Sequence, residues 1–102
     1  DWTCFFPDIV ELGFDAVVLE PCADMAAFAA AFGERCGFVG NADTRALLSG
    51  DGEDIDREVR RCMEIGKPYP GFIMAVGNHI PPNTPVEAAL RYNESYLRRS
   101  LR

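Results

Sequence analysis

Long apolar runs are absent: nothing in the 102 residues approaches the length of a membrane span, ~20 residues as a helix, so a transmembrane helix is not expected. The opening, Asp1-Trp2-Thr3-Cys4, lacks the basic region, apolar stretch and cleavage site of an export signal, which makes a cytoplasmic location the expectation. No strand candidate is followed by Gly-x-Gly-x-x-Gly, and this argues against a dinucleotide-binding fold. Bases are few. Ten Lys/Arg against sixteen Asp/Glu leave a net charge of −6, which disfavours a nucleic-acid groove or an anionic membrane as partner. The charge is also uneven: twelve acids against two bases in residues 1–56 give −10, and four against eight in residues 57–102 give +4. Histidine occurs once, at position 79.

Four cysteines, at positions 4, 22, 36 and 62, come no closer than fourteen residues. That spacing is neither a Cys-x-x-Cys metal knuckle nor a dense disulfide scaffold, so reduced thiols are expected. Cys36 and Cys62 lie among apolar neighbours and read as core, whereas Cys22, just past a strand end, is a candidate site thiol.

What the sequence does contain is a regular alternation of elements. Phe6 to Gly13 suits a short helix, with Pro7 in its first turn and glycine as its stop. Phe14 to Leu19 reads as a strand buried on both faces. Asp24 then caps a helix whose inner face is Met25, Phe28, Ala29 and Phe32, and Cys36 to Gly40 forms a second strand. After a short segment from Thr44 to Ser49, a helix from about residue 52 to 65 buries Ile55, Val59, Cys62, Met63 and Ile65, with Glu58 inside the same arc. Gly71 to Val76 is the third strand. Thr84 as cap, Pro85 at the first helical position and Glu87 closing a capping box start the last helix, whose inner face is expected to be Val86, Ala89, Leu90, Leu97 and Leu101.

Right-handed crossovers between such elements make the three strands parallel in an α/β fold. A doubly wound sheet and a (β/α)8 barrel both contain this pattern. Polar residues collect at each strand's carboxyl end, namely Glu20, then Asn41 and Asp43, then Asn78 and His79. These are the positions from which barrel active sites are built. A closed barrel takes ~250 residues, so the whole chain, residues 1–102, is expected to be a single partial barrel domain. The inward sheet face, with Val18, Val39, Ile73 and Ala75, then has no opposite wall, and self-association or a separately supplied barrel half is expected to cover it.

Gly40-Asn41-Ala42-Asp43-Thr44-Arg45 through Leu47-Leu48, together with Gly77-Asn78-His79-Ile80-Pro81-Pro82-Asn83-Thr84-Pro85-Val86-Glu87, resembles the C-terminal part of the uroporphyrinogen decarboxylase superfamily. The resemblance implies barrel strands six to eight with their helices. It also implies either porphyrinogen decarboxylation or methyl transfer to a corrinoid protein. The methanol and methylamine branch has a zinc-binding cysteine where this chain has Asn78, and the decarboxylase branch has a Gly-His-Gly turn where this chain has Gly77-Asn78-His79-Ile80. The branch that demethylates methoxylated aromatics is more similar. Its proposed zinc ligands are an acid, a Glu fifteen positions on and a His twenty-one beyond, the spacing of Asp43, Glu58 and His79.

That resemblance makes zinc the implied metal, with Asp43, Glu58 and His79 as ligands, and makes a corrinoid protein and a small aromatic substrate the implied partners. Imidazole and carboxylate suit Zn²⁺, which stabilises a phenolate leaving oxygen while the corrinoid takes the methyl group. His79 is the expected ligand or acid/base, and Asn41 and Asn78 are expected to bind substrate or orient it. Arg45 pairs either with a carboxylated substrate or with Asp43. Glu58, on an outer helix, favours a buried ion pair over direct ligation, which leaves Glu20 as the alternative acidic group facing the pocket. Two other readings remain open at this point: uroporphyrinogen decarboxylase, and a non-catalytic module that only folds or assembles.

Overall fold

The computed structural model describes residues 3–77 and 80–100. A 3₁₀ turn, Thr3–Phe5, leads into α1 (Phe6–Glu11), β1 (Ala16–Val18), α2 (Met25–Phe32), β2 (Gly37–Ala42), α3 (Thr44–Ser49), α4 (Gly52–Gly66), β3 (Phe72–Val76) and α5 (Val86–Arg99). The strands form one parallel sheet in the order β1-β2-β3. No described helix is long and apolar enough to cross a membrane.

Local chemistry explains most of the boundaries. Asp24, Asp43 and Asp51 each accept a backbone N–H in the first turn of the helix that follows, from Ala27, Arg45 and Glu53 respectively. Asp43 therefore starts α3, a helix where only a short segment is expected from the sequence. Gly40 occupies a conformation that only glycine takes easily: its φ is +152°, and a Cβ there would come 2.8 Å from the Leu19 carbonyl oxygen. The strand thus passes closely over the end of β1.

One face of the sheet is covered. Phe38, wholly buried, meets Phe28 of α2 at 5.8 Å and Phe72 of β3 at 5.3 Å, and Phe28 meets Phe6 of α1 at 5.0 Å. These edge-on and tilted ring contacts join three helical and strand layers into one core. A second core lies under α4 and α5, around Leu47, Ile55, Val59, Met63 and Ala88. The other face is open among the described residues. Val18, Val39 and Ile73 stand side by side in register across it, with Val18 69% and Ile73 60% exposed. The expectation of a first strand buried on both faces is therefore corrected, because no described element lies against the second face.

The last helix also departs from its sequence reading. It starts at Val86, with Pro85 extended at the cap position (ψ 138°) and no side-chain cap, so the expected Thr84 capping box does not form. Its inner face is different as well. Ala88 and Ser95 are buried and Tyr92 and Tyr96 pack on the core, whereas Val86, Leu90 and Leu97 are each more than half exposed. Leu101 lies outside the described residues. Beside the inner face Arg91 and Arg98 both reach Asp56 of α4, at 2.6 and 3.3 Å, and clamp the two helices together.

Candidate functional site

The carboxyl ends of β1 and β2 converge on one polar cluster. At its centre is Asn41, at the end of β2 and 0% exposed. Its Nδ2 donates to the Glu20 carbonyl at 2.9 Å and to the Ala23 carbonyl at 3.1 Å, both in the loop between β1 and α2. Its Oδ1 accepts from Nη2 of Arg61 at 3.0 Å, and its backbone carbonyl accepts from the same nitrogen at 3.3 Å. Two carbonyls on the nitrogen side and a cation on the oxygen side leave the amide only one orientation. Asn41 is a pin between two loops here, with both amide hydrogens engaged within the chain.

Asp43 comes next along the strand end. Its Oδ1 caps α3, and both carboxylate oxygens bind Arg45, through Nε at 3.2 and 3.0 Å and Nη2 at 2.7 Å. That guanidinium holds the Asp43 carboxyl below the usual carboxylate range, and Asp43 in turn raises Arg45. Of the two pairings expected for Arg45, the structure has the one with Asp43. The Arg45 side chain is still 87% exposed, so it stands in solvent at the mouth of the cluster.

Glu58 and Arg61 form an ion pair one turn apart on α4. The Glu58 side chain is 18% exposed, and its Oε1 accepts from Nε of Arg61 at 3.0 Å and from the backbone N–H of Asp43 at 3.2 Å. Asp43 and Glu58, fifteen positions apart in sequence, are thus in direct contact through the backbone of one and the carboxylate of the other. Glu20 is exposed, with its carboxylate 3.9 Å from the Cys22 thiol. It also borders an apolar groove of about 440 Å³ between α1 and β1, lined by Phe6, Ile9, Val18 and Leu19. Cys22 and Cys4 are exposed, while Cys36 and Cys62 are core thiols whose burial raises their pKa. Asn78 and His79 lie outside the described residues.

Arg61 is the member of the cluster that the sequence reading missed. A signal was available: an arginine three positions after a glutamate, on the edge of an apolar helical arc, is a natural partner for a half-buried acid. The donor set was also tested as a zinc site. No group of three His, Cys, Asp or Glu side chains converges among the described residues. Both Asp43 oxygens are held by Arg45, and Glu58 is held by Arg61 and the Asp43 N–H. In this arrangement the two carboxylates do not fit as open metal ligands.

None of the curated proteins matches the chain. The family model described as uroporphyrinogen decarboxylase (URO-D) matches residues 1–95. With the parallel sheet, the alternating helices and the polar strand ends now in place, that match settles the ancestry: the chain belongs to the uroporphyrinogen decarboxylase (URO-D) family.

Proposed function

We propose that residues 1–102 are a segment, about strands six to eight, of a (β/α)8 barrel enzyme whose parent protein moves a methyl group from a methoxylated aromatic to a corrinoid carried by a partner protein. The observation that carries this reading is the contact between Asp43 and Glu58 at the carboxyl end of β2. The two acids that share their spacing with the demethylating branch are neighbours in space on the edge from which barrel sites are built, joined by the Asp43 N–H and the Glu58 carboxylate and not by side chains poised on a common metal. In the reaction the methyl–oxygen bond of the ether would break, the oxygen keeping its electron pair as phenolate, while a Co(I) corrinoid on the partner protein would supply the pair for the new bond to methyl.

The chain's own residues have definite roles in this reading. Arg45, exposed and charged, receives an anionic substituent of the aromatic, such as a benzoate carboxylate, and Asp43 holds it in place. Asn41 fixes the loop that presents Glu20. His79 and Asn78, which follow β3 in sequence, are assigned to the phenolate oxygen and its orientation. No step is routed through zinc, because ligation by Asp43 and Glu58 requires both to leave their present partners.

The test is an assay of the full-length parent with its corrinoid partner and a panel of methoxybenzoates. Methylcobalamin should form on at least one of them, and its absence on all would refute methyl transfer. Decarboxylation of uroporphyrinogen is the second reading, favoured by the description of the matching family itself. Coproporphyrinogen appearing in the same assay with uroporphyrinogen would select it. The third reading, that residues 1–102 by themselves are a non-catalytic module, is refuted by turnover of either substrate by the isolated segment.

A further inference from the structure

The polar cluster joins three segments that are remote in sequence: one turn of α4 holds the end of β2, and Asn41 of β2 holds the loop between β1 and α2. Arg61 reaches forward to the side chain and backbone carbonyl of Asn41, at 3.0 and 3.3 Å, while also binding Glu58. Glu58 in turn accepts the N–H of Asp43. Asn41 carries the connection on to the Glu20 and Ala23 carbonyls. The paired strand register ends at Val18 opposite Val39, where the Leu19 N–H still donates to the Val39 carbonyl at 2.8 Å, and beyond it the Asn41 side chain ties the β1 exit to the β2 exit. A guanidinium suits the task because its planar fork binds a carboxylate and an amide oxygen together, which an ammonium on a flexible stem does not do with the same geometry.

We propose that Arg61 is a positioning residue for the strand-end site: by gripping Asn41 and Glu58 at once, it sets the spacing between the loop that carries Glu20 and the segment that carries Asp43. Glu20 and Asp43 are the two acids that the strands deliver to this edge, so their separation determines what ligand the edge accepts. The proposal rests on the reading that the strand carboxyl ends form the site, but not on which reaction occurs there.

The experiment is hydrogen–deuterium exchange on the intact parent protein, without substrate, comparing wild type with Arg61→Lys and Arg61→Met. Positioning predicts that the amides of Ala23 and Asp43, twenty residues apart, lose protection together by about tenfold or more in both variants. The strand amides of Phe72–Val76 should keep wild-type rates. Three results would overturn it: wild-type exchange at Asp43 and Ala23 in Arg61→Lys, loosening confined to α4, or a uniform increase along the whole chain. Should Arg61→Met fail to fold, Arg61→Lys decides alone, since it keeps the charge and the apolar stem. A parent that is inactive on methoxybenzoates yet shows the paired loosening defeats the methyl-transfer reading and leaves this one standing, and the converse result does the reverse.

Discussion

Replacing Asp56 with asparagine removes the charge that pairs α4 with α5 while leaving the volume of the side chain almost unchanged. The Asp56 carboxylate is 23% exposed and receives Nε and Nη2 of Arg91 at 3.1 and 2.6 Å, with Nη2 of Arg98 at 3.3 Å. The Arg91 hydrogen bonds, helped by the charges of Arg91 and Arg98, outweigh burial and bring its pKa from 3.8 down to about 2. Linkage converts that difference to ~2 kcal/mol, and discounting for two arginines that are about half exposed leaves ~1–2 kcal/mol. The sign is that of a depressed acid: the contribution is complete above the unfolded value near 4 and is lost as pH falls through about 2. Urea unfolding of wild type and Asp56→Asn at a series of pH values should therefore show the variant weaker by ~1–2 kcal/mol near neutrality, with the gap closing towards pH 2. Arg91→Met should remove most of the difference, because the two residues share one interaction. A gap that does not change with pH, or one below about 0.3 kcal/mol at neutrality, within ordinary additivity error, would refute a stabilising clamp between α4 and α5.

Gly40→Ala should destabilise the protein by ~1–3 kcal/mol, since it forces a left-handed φ on alanine and drives its Cβ onto the Leu19 carbonyl; chemical unfolding gives the value, and a neutral result would refute the close approach. Iodoacetamide under native conditions should label Cys4 and Cys22 and spare Cys36 and Cys62 until the protein unfolds, as counted by intact mass; fast labelling of Cys62 would contradict its burial. The isolated 102 residues should associate at micromolar concentration through the open Val18, Val39, Ile73 face, and Ile73→Glu should weaken that association. A compact 11.3 kDa species in sedimentation would refute this.

Much of the fold was legible in the sequence because its signals are short-range. An aspartate one residue before a helix, a glycine at its end and a 100° apolar period act within a few residues, so α2 and α4 lie where they were expected and α4 buries Ile55, Val59, Cys62 and Met63. The apolar strands between helices likewise specified a parallel sheet. The ion pair favoured for Glu58 followed from the cost of an unpaired acid in an apolar arc. Tertiary structure alone decided the rest, because each remaining feature depended on a partner remote in sequence. Two stripes of α5 could have turned inward, and the one with Ala88, Tyr92 and Tyr96 packs on a core built from α3 and α4, where Arg91 also meets Asp56, 35 residues away. Asn41 had the composition of either a ligand-binding amide or a turn residue, and the Glu20 and Ala23 carbonyls on one side with Arg61 on the other made it a buried pin. The pairing of Asp43 with Glu58 exists only where α4 crosses the end of β2, a geometry set by the packing of helix on sheet and not by any local preference along the chain.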